Sequence, residues 1–173
     1  RKAKPYWQAK PEHRERQMPS IEDVKDYLQQ HDIVVNEYEQ PTPTCETAAA
    51  AVGCTPAEIA KTLLFLVGGN PVAVVTCGDM KVKSSPLKKV SGFSGKVKLP
   101  QAQEVMEQTG YVPGGVCPFL LPKELPVLLD LSIQRFPCVY AAAGNDFSAV
   151  PVTFEQLQTL TGGTPAEVCE QIS

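Results

Sequence analysis

The chain has 173 residues, a length that suits one domain with a sizeable core and leaves some over for a terminal arm. Hydrophobic residues make up 43% and charged residues 20%, ordinary values for a globular protein, and the longest apolar run, around residues 63–67, is strand-sized, which excludes an apolar helical membrane span. The net charge of −3 argues against a protein that coats duplex nucleic acid along one whole face.

The charge is unevenly spread. Arg1, Lys2, Lys4, Lys10, Arg14 and Arg16 face only Glu12 and Glu15 in the first sixteen residues, and Lys81, Lys83, Lys88, Lys89, Lys96 and Lys98 share residues 79–98 with Asp79 alone. A local basic patch of this kind can grip phosphates even on an acidic protein, although a solvated face is the ordinary use of a lysine run. No apolar segment of the signal-peptide kind opens the chain, so the cytoplasm is the expected compartment and no membrane partner is expected. The six cysteines (Cys45, Cys54, Cys77, Cys117, Cys138, Cys169) form no C-x-x-C pair. Reduced, mostly buried thiols are expected for all but Cys117, with no disulfide framework, metal or cofactor.

Residues 1–19 are basic, contain proline and lack periodicity; they read as an arm, which Tyr6 and Trp7 can pin to a body spanning 20–173. Ser20 caps a helix over 21–30 with Asp23 in the box position, and 33–38 alternates like a strand. Residues 44–52 are alanine-rich and helical, closing at Gly53. Thr55-Pro56-Ala57-Glu58 is a helix start that runs, after about a turn and a half, into a strand over 61–67. Gly68-Gly69-Asn70 turns that strand into a second one over 71–77, making a hairpin with Lys61 at its mouth. Lysine there also suits a side chain snorkelling from a strand end.

A short helix over 87–90, a strand over 96–99 and a helix over 101–109 ending at Gly110 come next. Strands are expected over 125–131, 137–142 and 147–152, then a helix over 153–160 with a Thr153–Gln156 box and a last helix starting at Thr164-Pro165-Ala166-Glu167. Hairpins interleaved with helices, without regular β-α-β alternation, indicate a single α+β domain around a mixed, mostly antiparallel sheet or barrel surrounded by helices.

Between the helix at 101–109 and the strand at 125–131 lies Thr109-Gly110-Tyr111-Val112-Pro113-Gly114-Gly115-Val116-Cys117-Pro118-Phe119. Adjacent glycines permit positive φ and close backbone approach to a ligand, while the prolines stiffen their surroundings. The stretch fits either an ordinary tight connection or a loop whose N–H groups hold an oxygen-rich ligand.

Taken with Ile59-Ala60-Lys61-Thr62-Leu63-Leu64, the strand containing Asp130, and Val139-Tyr140-Ala141-Ala142-Ala143-Gly144, this loop gives the resemblance. The chain resembles the YbaK/prolyl-tRNA editing family, free-standing relatives of the editing domain inserted in bacterial prolyl-tRNA synthetase, over about residues 20–172. The resemblance implies a YbaK-like domain that hydrolyses the ester between a wrong amino acid and the 3′-terminal adenosine of a tRNA. By position, Lys61 matches the family's functional lysine, and Gly114, Gly115, Val116, Cys117 and Pro118 its G-x-x-x-P loop. Deacylation needs a water, a place for the oxyanion and a grip on the terminal nucleotide. Gly114 and Gly115 can offer N–H groups to the oxyanion. The Lys61 ammonium can hold the terminal phosphate or polarise the ester, with a general-base role if desolvated as the alternative. Water attack assisted by the substrate's own 2′-hydroxyl or amino group is the favoured chemistry, since no serine–histidine pair is evident.

Two departures stand out. Cys117 occupies a position where relatives often carry serine, and a thiol there lines the pocket or acts as nucleophile. Asn145-Asp146-Phe147-Ser148 replaces a basic turn; Asp146 is either an ordinary turn residue or a contact to the amino acid's ammonium. The leading expectation is a trans-editing deacylase acting on alanyl- or cysteinyl-tRNA for proline, with Lys81 and Lys88 gripping the acceptor stem. Its partners are tRNA, with prolyl-tRNA synthetase and a second copy of the chain as candidates. The alternatives are a non-catalytic module binding an aminoacyl or nucleotide end in the same cleft, and a thiol-based redox or acyl-carrier role at Cys117, disfavoured because no resolving cysteine or basic partner lies nearby in sequence.

Overall fold

In the computed structural model, which describes residues 19–172, the architecture grows outward from one hairpin. Strand β2 (Ile59–Val67) pairs antiparallel with β3 (Asn70–Cys77), from Ala60 opposite Cys77 to Val67 opposite Asn70. Gly68 and Gly69 make the turn with φ of 57° and 87°, a conformation that only glycine adopts without strain. Residues 72–77 of β3 are buried without alternation because both faces of the strand are covered.

The outer edge of β3 takes β6 (Val127–Asp130) in parallel, and β6 takes β9 (Thr164–Ala166), also in parallel. The outer edge of β2 takes two short strands, one at each end. At Ile59 and Ala60 it pairs in parallel with β7 (Val139–Ala141); at Leu66 and Val67 it pairs antiparallel with β5 (Val97–Lys98). Antiparallel pairing continues from β7 to β8 (Ser148–Val152) and from β8 to β1 (Asn36–Glu37). A separate ribbon joins β4 (Met80–Val82) to β10 (Cys169–Gln171). The fold is thus a single α+β domain on a mixed sheet, as expected.

Helix positions follow their caps. At the start of α1 (Ile21–Gln29), the Ser20 N–H donates to Asp23 Oδ2 (2.9 Å) and the Asp23 N–H to Ser20 Oγ (3.2 Å). Thr44 with Thr47 does the same for α2 (Cys45–Val52), and Thr153 with Gln156 for α5 (Phe154–Thr161), each cap being worth about 1 kcal/mol. Helices α3 (Ser84–Ser91) and α4 (Ala102–Thr109) stop, as α2 and α5 do, at a glycine in the left-handed conformation: Gly92, Gly110, Gly53 and Gly162. Val24 and Leu28 of α1 meet Leu157 and Leu160 of α5 in the main core, together with Val75 and Leu129 from the sheet. A second cluster joins Leu87 of α3 to Val72, Val74, Leu128 and Val168. Full burial of each such side chain contributes about 1.5–3 kcal/mol.

Several expectations change. The strand expected over 33–38 shrinks to Asn36–Glu37 at the sheet's end. Thr55-Pro56-Ala57-Glu58 gives only the 3₁₀ turn Pro56–Glu58, because β2 starts at Ile59, and Lys61 is therefore its third residue. The last helix, expected from Thr164, is instead β9. There Thr164, Pro165 and Ala166 lie opposite Leu128, Leu129 and Asp130, and the Val168 N–H donates to Asp130 Oδ1 (3.0 Å). A buried carboxylate and a neighbouring strand outcompete a local helix signal. The β4–β10 ribbon carries no sequence signal noted above.

Of the six cysteines, all free, only Cys77 and Cys117 are buried; the other four are half-buried, fewer than expected below the surface. Among the described residues no helix is long and apolar enough to cross a membrane. The expected basic arm, with Tyr6 and Trp7, lies outside the described residues but for Pro19.

Candidate active site

Because β7 covers only Ile59 and Ala60 while β5 covers only Leu66 and Val67, the outer edge of β2 has no partner strand over residues 61–65. Nor does any loop backbone bond to it among the described residues. Peptide groups of an unpaired strand edge are free donors and acceptors. A cavity of about 480 Å³ fills this gap, with residues 59–64 as its floor.

Its walls come from four other stretches. Thr42, Pro43, Thr44, Cys45 and Ala48 form the approach to and first turn of α2. Leu99 and Pro100 come from the link between β5 and α4, Val105 from α4 itself, and Pro113, Gly114 and Val116 from the glycine loop. Tyr140, Ala142, Asn145 and Ser148 lie on and after β7. The lining is mostly apolar, with polar groups at a few points, as a small-ligand site requires.

Lys61 is half-buried and makes no ion pair among the described residues. Its charge is felt by the Cys45 thiol, whose pKa is pushed up by burial and partly drawn back by the Lys61 ammonium. Lys25, Lys81, Lys83 and Arg135, by contrast, all have carboxylate partners. An unpaired ammonium in a largely apolar cleft is suited to meet an anion or a polarised carbonyl.

The glycine loop is shaped by two glycines for two different reasons. Gly114 has φ of 90°, and a Cβ there would meet open space, so glycine serves the backbone conformation. At Gly115 a Cβ would come within 3.0 Å of the Asn145 Cα and the Gly144 carbonyl oxygen, so glycine serves a backbone crossing. The Gly115 N–H donates to the Val112 carbonyl (3.0 Å), whereas no such bond engages the Gly114 N–H among the described residues. Of the two donors expected for an oxyanion, Gly114 is the one left free.

The loop closes over its own core. Tyr111 is buried and its hydroxyl donates to the Phe119 carbonyl. Cys117 is fully buried, its thiol donates to the same carbonyl (3.7 Å), and burial pushes its pKa up to about 12. A thiol so placed is shut off from solvent and does not border the cavity, which argues against a nucleophilic or redox Cys117.

The structure brings Lys61, Gly114 and Val116 to one cavity and sets the other expected residues apart. Gly115 and Cys117 support the loop from behind, and Pro118 borders a different depression. Asp146 contributes its carbonyl, which accepts from the N–H and Oγ1 of Thr42 and ties the turn after β7 to the cavity's α2 side. Lys81 pairs with Glu170 (3.4 Å), and Lys88 lies in the last turn of α3, complementing the helix dipole; neither borders the cavity. Thr62, Tyr140, Asn145 and the 42–45 segment also border the cavity, beyond the residues expected there. Thr62 and Tyr140 lie within the motifs at 59–64 and 139–144, while the place of 42–45 depends on distant parts of the sheet.

The chain belongs to the aminoacyl-tRNA editing domain family, whose model matches residues 39–160. The protein YwhH of Bacillus subtilis, named as uncharacterized, is 39% identical over 124 residues, covering 71% of this chain and 78% of that one. An Enterococcus faecalis protein named "Putative Cys-tRNA(Pro)/Cys-tRNA(Cys) deacylase EbsC" is 29% identical over 148 residues, covering 82% and 88%. A solved structure named "Crystal structure of a putative trans-editing enzyme for prolyl tRNA synthetase" superposes with a TM-score of 0.78 at 29% identity, covering 88% of this chain and 98% of that one.

Proposed function

We propose that the protein is a trans-editing aminoacyl-tRNA deacylase, acting on a tRNA for proline that carries a small wrong amino acid, alanine or cysteine. The observation that carries the reading is the cavity at the open edge of β2, bordered by both Lys61 and Gly114, the lysine without an ion pair and the glycine N–H without a hydrogen bond among the described residues. Family membership and the names of two relatives, one a deacylase and the other a trans-editing enzyme, support the same class of chemistry.

In this reading the 3′-terminal aminoacyl-adenosine enters with its ester between Lys61 and Gly114. Water attacks the ester carbonyl, the new C–O bond forms, and negative charge collects on the former carbonyl oxygen. The Gly114 N–H and the Lys61 ammonium stabilise that charge, a contribution of the oxyanion-hole kind. The bond to the ribose 3′-oxygen then breaks. That oxygen receives a proton from the attacking water, relayed through the neighbouring 2′-hydroxyl or the substrate's amino group, and the amino acid leaves as its carboxylate with release of the second proton. Apolar walls from Val105 and Val116 limit the size of side chain admitted. Prolyl-tRNA synthetase is a partner in the sense that its mischarged product is the substrate.

The reading is tested by hydrolysis of alanyl-, cysteinyl-, seryl- and prolyl-tRNA for proline. Release of a non-cognate amino acid with prolyl-tRNA spared is the expected result. Retained binding of tRNA without release from any of the four would instead mark a non-catalytic module that holds the aminoacyl end.

A further inference from the structure

The hydroxyl groups on the cavity wall are, with two exceptions, committed to the fold. Thr42 Oγ1 donates to the Asp146 carbonyl (2.9 Å), Thr44 Oγ1 accepts from the Thr47 N–H (3.1 Å), and Ser148 Oγ accepts from the Ala143 N–H (3.0 Å). Tyr140 is one exception, but its phenol is part of a half-buried ring and has recourse to water. Thr62 is the other. The residue borders the cavity and is 9% exposed, yet Oγ1 is buried with no hydrogen-bond partner among the described residues.

A buried hydroxyl without a partner is a net loss to the fold, whereas valine would fill the same shape without it. Threonine also has more than one accessible χ1 well, and a turn of about 120° exchanges its hydroxyl with its methyl group. The hydroxyl can thus be presented to a ligand in the cavity without any shift of β2.

The neighbouring backbone indicates which part of a ligand it meets. The open edge at residues 61–65 already offers carbonyls for an α-ammonium, and Gly114 and Lys61 serve the ester carbonyl. These groups are common to every aminoacyl ester. What remains for Thr62, which shares the cavity lining with Val105 and Val116, is the amino-acid side chain.

We propose that Thr62 is a specificity-determining residue whose hydroxyl hydrogen-bonds a hydroxyl or thiol on the β-carbon of the esterified amino acid, so that the site prefers seryl or cysteinyl esters over alanyl esters of nearly the same size. The inference rests on the deacylase reading and deepens it. An apolar pocket separates such isosteres poorly; a buried hydrogen-bonding group separates them well, because the analogue lacking the polar group leaves it unpaired.

The test compares the wild type with Thr62→Val and Thr62→Ser, reading kcat/KM on alanyl-, seryl- and cysteinyl-tRNA for proline together with the melting temperature. The wild type is expected to favour the seryl or the cysteinyl ester. Thr62→Val should melt at or above the wild-type temperature while losing about tenfold or more of that preference, and Thr62→Ser should keep it. The proposal is overturned by a wild type that favours alanine, by a Thr62→Val that keeps the preference, or by one that slows all three esters equally. In the last case the hydroxyl would serve the common part of the substrate. A well-folded wild type that releases none of the three would overturn the deacylase reading and this inference with it, an outcome distinct from an active wild type whose selectivity ignores Thr62.

Discussion

Lys61 and Thr62 are consecutive residues of β2 whose side chains leave the sheet on opposite faces, yet both border one cavity. Lys61 stands opposite Thr76 and Thr62 opposite Val75, in successive rows of the β2–β3 ladder. In a sheet continuous on both sides the two would be separated by backbone. They share a space here because the strand between them is an open edge; in the proposed function, a flat ester lying against that edge would have the ammonium on one side and the threonine on the other.

Lys61→Ala should therefore remove charge from the site and leave the fold unchanged, since Lys61 holds no ion pair among the described residues. Loss of a group that stabilises the developing oxyanion lowers the rate by about 100-fold or more. Single-turnover deacylation, read beside circular dichroism of the same sample, checks both halves. A variant with full activity would take Lys61 out of the mechanism.

Cys117 gives a prediction about pH. Burial pushes its pKa up to about 12, and that of Cys169 also to about 12. A group whose pKa is higher folded than unfolded holds its proton more firmly in the folded state. Its stabilisation is complete below the ordinary thiol value of 9.0 and is lost as pH rises from there toward about 12. Thermal stability should decline through this alkaline window, and less steeply in Cys117→Ser, whose hydroxyl can still donate to the Phe119 carbonyl. That variant should keep most of its deacylase activity, and in the native wild type Cys117 should be among the last thiols to be alkylated. An inactive but folded Cys117→Ser would put the thiol into the chemistry.

Asp130 should matter to the fold and not to the reaction. It is 2% exposed; Oδ1 accepts from the Val168 N–H (3.0 Å), and Oδ2 from the Ser132 N–H (3.1 Å) and the Thr76 hydroxyl (3.5 Å). Replacing the carboxylate by an amide in Asp130→Asn weakens charge-assisted bonds worth about 1.5–3 kcal/mol each and leaves one N–H facing a donor. Denaturant unfolding should show a loss of that order, with activity per folded molecule unchanged. A stability equal to the wild type would mean that β9 is held by its strand pairing alone.

The helices were legible because their signals are local. Ser20 with Asp23, Thr44 with Gly53, and Thr153 with Gln156 each fix a boundary within a few residues of chain. The same reasoning failed at Thr164, where Asp130, more than thirty positions away, holds the segment as a strand. Of the residues lining the candidate site, Lys61 and Gly114 were legible through motif and backbone need. Thr62 was not, because nothing in the chain around it reveals that β5 and β7 stop short of each other along β2. A charge run says nothing about direction, so it did not reveal that Lys81 and Lys88 stand away from the cavity or that Lys81 pairs with Glu170, far along the chain.

The gap in the sheet also divides the labour of adaptation. The cavity floor belongs to β2, which is locked to β3 along nearly its whole length, whereas the walls are four stretches that lead into or out of other elements. Substitutions at Leu99, Pro113 or Asn145 would reshape the chamber without touching the hairpin that the rest of the sheet is assembled on. The chamber's shape and the strand that presents the lysine are thus set by separate parts of the chain.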